Sequence, residues 1–259
     1  MSETLVMERI ESNLSRLRLS RIREILLISV KAAEEQQKSY MGFLDELLEE
    51  EMAQKEQRRV ETTLRISGLP FIKTIDDFDF TSQPKLDRQR VLSLFDLTFI
   101  QQKENVIFLG PPGVGKTHLA VALAVKACQM GLSIYFTTME DLVLKLRKDH
   151  EAGKNPKIRS YYKSALVIVD EVGYTPISRE QCNLFYRFIA TRYEKCSTII
   201  TSNKAFSDWT ELFDDPIIVT AILDRLLHHS VVVNIKGNSY RLMGKISLKM
   251  NYKEVKSEL

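Results

Sequence analysis

Residues 110–117 read GPPGVGKT, and no other feature of this 259-residue chain narrows its fold as far. The octet is a complete G-x-x-x-x-G-K-[ST] motif. It directly follows the apolar stretch Asn105 to Leu109 and opens HLAVALAVKACQM, a helical run stopped by Gly131. Strand, glycine loop and helix in that order make a phosphate cradle. Gly110, Gly113 and Gly115 let the loop turn until its backbone N–H groups face phosphates at a helix N-terminus, where the macrodipole favours anions. Pro111, Pro112, Val114 and the following His118 complete the loop and its exit. Lys116 is expected to reach the β and γ phosphates, and the Thr117 hydroxyl to ligate Mg2+. A glycine-rich turn without a ligand would have no reason to carry Lys and Thr straight after its last glycine.

P-loops serve several enzyme classes, so a second acidic element decides among them. Residues 165–171 read ALVIVDE, an apolar strand ending in two carboxylates. Asp170 is placed to orient the magnesium and Glu171 to polarise an attacking water, although the same string also suits a plain strand and turn. The next strand, Thr198 to Thr201, runs into Ser202 and Asn203, which puts an amide where a γ-phosphate or catalytic water would sit. Asn203 and Lys204 also begin the N-K-x-D string that reads guanine, but the fourth residue is Phe206, so ATP is the expected nucleotide. An oligomeric ATPase needs a cation on its neighbour's γ-phosphate, and Arg225 in VTAILDRLLHHS is the candidate. Arg241, after the Gly-Asn turn in NIKGNSYRL, is the candidate for sensing phosphate within its own subunit; for both, a plain surface ion pair stays open. His228 and His229 are adjacent and are expected to point apart on a helix, a poor metal pair.

Around this core the chain has three parts. Residues 1–66 are almost free of Gly and Pro, with Leu14, Leu17, Leu26, Leu44, Leu47 and Leu48 at amphipathic spacing, and read as a helical domain. Its Arg16, Arg18, Arg21 and Arg23 oppose the acidic run DELLEEE at 45–51, which suits intramolecular pairing, a partner surface or simply solvated helix faces. Residues 67–104 read as a linker and entry to the core, with 71–86 extended around embedded aromatics. From 105 to 259 short apolar strands alternate with helices, the pattern of a parallel sheet covered on both faces; strands are predicted at 105–109, 133–137, 165–169, 198–201 and 231–235. Cys128, Cys182 and Cys196 form no C-x-x-C pair and are expected to be reduced packing residues. The absence of a long apolar run or a signal-like start predicts a cytoplasmic protein with no membrane partner.

GPPGVGKTHLA, LVIVDEVGY, IITSN, ILDRLLHH and GNSYRL, together with KTIDDFDF before the core, resemble the IstB-type ATPases of two-gene insertion sequences across nearly the whole chain. That family is similar to the DnaC-like helicase loaders within the AAA+ ATPases. The resemblance implies an α/β P-loop AAA+ core behind an N-terminal helical domain. It implies Lys116 and Thr117 in Walker A, Asp170 and Glu171 in Walker B, Asn203 as first sensor, Arg225 as finger and Arg241 as second sensor. It further implies ATP-dependent self-assembly on double-stranded DNA and control of a cognate transposase during DNA transposition. The alternative is a replicative helicase loader of the DnaC type. Only about 56 residues follow Asn203, so the lid is expected to be reduced or absent.

Initiator-type relatives insert a helical element after the second strand, and here residues 144–163 carry Lys145, Arg147, Lys148, Lys154, Lys157, Arg159 and Lys163 against Asp149 and Glu151, a local net of +5. Tyr161 and Tyr162 sit among them. In an oligomer this stretch could line a channel and touch DNA phosphates, or it is a solvated helix face. A second basic stretch runs from Lys236 through Arg241, Lys245 and Lys249 to Lys253 and Lys256, and is either a further phosphate-contacting surface or a solvated tail.

Overall fold

The structure, a computed structural model, describes residues 3–155, 158–213 and 215–241. Its elements follow in the order α1 (Glu3–Arg16), α2 (Ser20–Glu35), α3 (Tyr40–Ile66), α4 (Arg88–Ser93), α5 (Thr98–Gln101), β1 (Asn105–Leu109), α6 (Lys116–Gln129), β2 (Ile134–Thr138), α7 (Met139–Glu151), α8 (Ser160–Lys163), β3 (Leu166–Val172), α9 (Arg179–Arg192), β4 (Ser197–Ser202), α10 (Trp209–Leu212), α11 (Pro216–His228) and β5 (Ser230–Asn234). The chain divides between Thr62 and Thr63 into two compact units.

The first unit is helical around a small core in which Ile22, Leu26 and Leu47 are buried and Met7, Ile10, Leu14 and Phe43 pack against them. Leu17, Leu44 and Leu48 of the same periodic set stay exposed. Leu19, which precedes α2, has no side chain able to cap it. Glu51 of α3 takes over: its buried carboxylate accepts from the Arg21 and Ile22 amides at 2.8 and 3.1 Å, where the helix dipole favours an anion. Arg21 also pairs with Glu50 at 2.9 Å, so part of the charge opposition between arginines and acidic run is neutralised within the unit.

In the second unit five parallel strands lie in the order β2-β3-β4-β1-β5. Parallel strands covered on both faces must be apolar on both, and these are. Val106, Phe108, Leu166 and Ile168 enter the layer that includes α6, while the alternate residues Ile107, Leu109, Val167 and Val169 enter the layer of α7, α9 and α11. All five predicted strands are present within a residue or so, except that β3 runs on to Val172 and so carries both carboxylate positions. Cys128 and Cys182 are buried and Cys196 is half-buried, and burial raises the Cys128 thiol to about 11.

The stretch read as an extended linker is folded onto the core. Asp79 caps a 3-10 turn at Phe80–Ser82 and Asp87 caps α4, while Phe78, Leu86, Val91, Leu94, Phe99 and Ile100 are buried in the α6 layer. Side chains of that size lose too much by staying wet, roughly 1.5–3 kcal/mol each, for the segment to remain detached. The reduced lid and the basic positions Lys245, Lys249, Lys253 and Lys256 lie outside the described residues. Among the described residues no helix is long and apolar enough to cross a membrane.

α9 ends on Arg192, 2% exposed. It donates to the carbonyls of Tyr161, Tyr162, Ser164 and Ser197 and to Thr198 Oγ1, tying the end of α8 to the start of β4. Burial lowers its pKa to about 10. Arg192→Leu leaves those acceptors bare and is expected to lower the unfolding free energy by about 3 kcal/mol. Urea unfolding should show this as a lower midpoint at an unchanged slope; a loss under about 1 kcal/mol would mean that the carbonyls find other donors.

Candidate functional site

The P-loop leaves β1 between its neighbours β4 and β5, and both flanks are fastened: Gly110 N donates to the Ser202 carbonyl at 3.2 Å and Ile235 N to that of Leu109 at 2.7 Å. Gly115 enters α6 at φ 100°, and a Cβ there would stand 2.5 Å from Phe78 Cε2, so glycine is required by both backbone and space. Lys116 Nζ donates to the Gly110 and Pro111 carbonyls at 2.7 and 2.8 Å, which holds the ammonium inside the curve of the loop. Burial lowers its pKa; Asp170 opposes that shift and Arg241 adds to it.

Thr117, one residue into α6, points its hydroxyl at Asp170 at the far end of β3, 3.0 Å from Oδ1 and 3.2 Å from Oδ2. Asp170 is buried, and Thr201 of β4 also donates to its Oδ1. Glu171 follows with its side chain exposed and a φ of 61°, a left-handed conformation that costs a non-glycine residue about 1–2 kcal/mol. Strain of that kind concentrates at functional positions. Asn203 lies just past β4 with its Oδ1 buried and without a hydrogen-bond partner.

The other wall of the cleft was not visible in the P-loop pattern. Phe71, Lys73, Asp77 and Phe78, from the segment before the core, line it opposite Gly113–His118. His118 Nε2 lies 3.0 Å from the Thr74 carbonyl, so the ring carries a proton there, and its edge meets Phe78 at 5.3 Å between centroids. Burial lowers the His118 pKa against that carbonyl's pull. The chain after β5 closes the cleft: Tyr240 N donates to the Gly113 carbonyl at 2.9 Å and Gln83 Nε2 to that of Asn238 at 3.0 Å. This hook puts Tyr240 and Arg241 at the P-loop. KTIDDFDF and GNSYRL were the readable traces of both contacts.

Arg225 does not join this cleft. It sits on α11 over the Tyr186 ring, 4.8 Å from the centroid, and donates to the Ala221 carbonyl. His228 and His229 do not point apart, because His228 is the last residue of α11 and His229 has left the helix; their rings lie 4.0 Å apart. Each is exposed and engaged with the protein, His228 Nδ1 with the Tyr193 hydroxyl at 2.7 Å and His229 Nε2 with Glu194 at 3.6 Å. In the basic stretch, Arg147 pairs with Glu151, and Asp149 takes both Lys154 and Arg159. Tyr161 is buried and Tyr162 half-buried, and both rings pack against Phe188. Lys145, Lys148 and Lys163 are exposed, and Lys157 lies outside the described residues.

A glycine loop between β1 and α6, with a carboxylate from β3 against its threonine, on a sheet ordered β2-β3-β4-β1-β5, defines a P-loop nucleotide-binding protein of the AAA+ fold. The chain belongs to the family of IstB-like ATP binding proteins, whose model matches residues 12–247. It is 44% identical to a protein of insertion sequence IS5376 from Geobacillus stearothermophilus, over 92% of this chain and 95% of the relative. It is likewise 44% identical to one of insertion sequence IS21 from Pseudomonas aeruginosa, over 92% and 91%; both are named for ATP binding. Among solved structures it is similar to the DnaC helicase loader, at TM-score 0.51 and 22% identity over 66% of this chain and 97% of that one. AMPPCP-bound DnaA from Aquifex aeolicus matches at TM-score 0.55 and 20% identity over 71% and 56%. These two likenesses show the shared fold.

Proposed function

We propose that this protein hydrolyses ATP with Mg2+, assembles through ATP into a multimer on duplex DNA, and regulates a partner transposase. The observation that carries the hydrolytic part is the Thr117–Asp170 contact with Glu171 beside it. Thr117 Oγ1 and Asp170 Oδ1 are 3.0 Å apart, and both are hard oxygen donors, so the pair fits magnesium. Bound there, the ion would supply charge neutralisation for the phosphates of the nucleotide.

The chain's own groups do the rest. Lys116 exchanges two loop carbonyls for phosphate oxygens, Glu171 accepts a proton from the attacking water, and the half-buried Asn203 side chain helps orient that water through its amide group. Arg241 meets phosphate from within the subunit, whereas Arg225, outside its own cleft, serves a neighbour's nucleotide. The exposed Lys145, Lys148 and Lys163 contact DNA phosphates, so binding falls steeply with salt and shows little sequence preference. The insertion-sequence names of the relatives support a transposase as the partner.

Sedimentation or electron microscopy with duplex or single-stranded DNA, with ATP, ADP or no nucleotide, tests this. Discrete multimers are expected on duplex with ATP alone. Assembly on single strands only, or only with a hexameric helicase, would replace the transposition reading by that of a helicase loader.

A further inference from the structure

We propose that Thr201 is a positioning residue that sets both acidic positions of β3 against the P-loop, an inference that rests on the hydrolytic reading above. The β3–β4 ladder pairs Leu166 with Ser197 and proceeds evenly to Val169 with Ile200, then resumes at Val172 with Ser202. Three steps along β3 are thus matched by two along β4. Asp170 and Glu171 together face Thr201, which is a β-bulge with one extra residue.

A bulge leaves one amide without a ladder partner and bends the strand that carries it. Here the side chain of Thr201 replaces the missing carbonyl: Glu171 N donates to Thr201 Oγ1 at 3.0 Å. The same hydroxyl gives its single proton to Asp170 Oδ1. Thr201 is 1% exposed, so water has no access to substitute for either bond. Among side chains that fit a threonine-sized space, only a hydroxyl both accepts an N–H and donates to a carboxylate. Valine has the shape and neither function.

Two consequences follow for the site. Asp170 Oδ1 is held from two sides, by Thr117 at the P-loop and by Thr201 from β4, so the carboxylate cannot rotate away from the threonine with which it would share magnesium. Glu171 is held in its left-handed turn through its amide, which keeps its side chain exposed while Asp170 and Val172 on either side are buried. Without the Thr201 hydroxyl the bulge can relax toward an ordinary strand, and side-chain alternation would then carry both carboxylates away from their places.

Thr201→Val and Thr201→Ser in the full chain test this through three readouts: hydrogen exchange of the 165–175 segment, ATP affinity with magnesium and in EDTA, and steady-state turnover. Thr201→Val is expected to speed exchange at the Glu171 amide and to weaken magnesium-dependent ATP affinity while leaving affinity in EDTA unchanged. Its kcat should fall about tenfold to a hundredfold, the cost of one buried donor left bare. Thr201→Ser should restore all three readouts to within about threefold of the parent, because it keeps the hydroxyl. Wild-type exchange at Glu171 in Thr201→Val, or a Thr201→Ser protein as impaired as Thr201→Val, would overturn the proposal. If Thr201→Val does not fold, Thr201→Ala beside Thr201→Ser makes the same comparison. A parent protein that turns over no ATP, with or without duplex DNA, would sink the hydrolytic reading instead, and the exchange and magnesium readouts would still judge Thr201.

Discussion

In Lys116→Ala, ATP binding and assembly on duplex DNA are expected to disappear together. The Lys116 ammonium lies inside the P-loop on the Gly110 and Pro111 carbonyls, so it reaches a phosphate oxygen with little rearrangement. Hydrogen bonds to charged groups contribute about 1.5–3 kcal/mol each, so two bonds to phosphate amount to roughly a 10²- to 10⁴-fold loss of affinity. The fold should survive, because the two carbonyls face a cleft that water can enter and no carboxylate depends on this lysine as its hydrogen-bond partner among the described residues. Thermal unfolding without nucleotide is therefore expected to stay within about 2 °C of the parent. Calorimetric titration with ATP, followed by sedimentation on duplex, separates the steps. Normal ATP-dependent assembly by Lys116→Ala would refute the coupling between nucleotide and multimer.

The parts of this site that the sequence makes legible are those whose physics is local. A glycine loop between an apolar strand and a helix needs no knowledge of the rest of the chain, and β3 shows itself because a doubly covered parallel strand is apolar at every position until Asp170. The wall formed by Phe71, Lys73, Asp77 and Phe78 is not local. Its residues follow no period of 2 or 3.6, so they read as an extended linker; their burial depends on Phe78 lying over Gly115, a contact across 37 positions. Thr201 stays hidden for a related reason, since a bulge has no signature in the β4 sequence and exists only in the register between strands. His228 and His229 mislead because adjacency implies divergence only inside a helix, and α11 ends between them. The basic stretch shows the limit of counting charges: Asp149 alone engages two of its seven cations, which no net charge reveals.

Glu171→Gln is expected to leave ATP binding intact and to hold the assembly on DNA. The substitution keeps the length of the side chain, and it leaves alone the backbone amide that Thr201 accepts, so the left-handed turn at φ 61° and the bulge around it persist. What is lost is the ability to take a proton from water, which general-base catalysis values at about 10²- to 10⁴-fold in rate. Turnover should fall by that amount while KM changes little, because the phosphates are held by the loop and Lys116 rather than by Glu171. If ATP orders the multimer and hydrolysis releases it, the Gln protein should stay on duplex after free ATP is chased, whereas the parent dissociates. Glu171→Gln thus removes the chemistry and keeps the site, while Thr201→Val disturbs the site and keeps the carboxylate. Unchanged turnover in Glu171→Gln would take Glu171 out of its assigned role. Lost turnover with prompt release from DNA would keep the role and show that disassembly follows nucleotide exchange rather than hydrolysis.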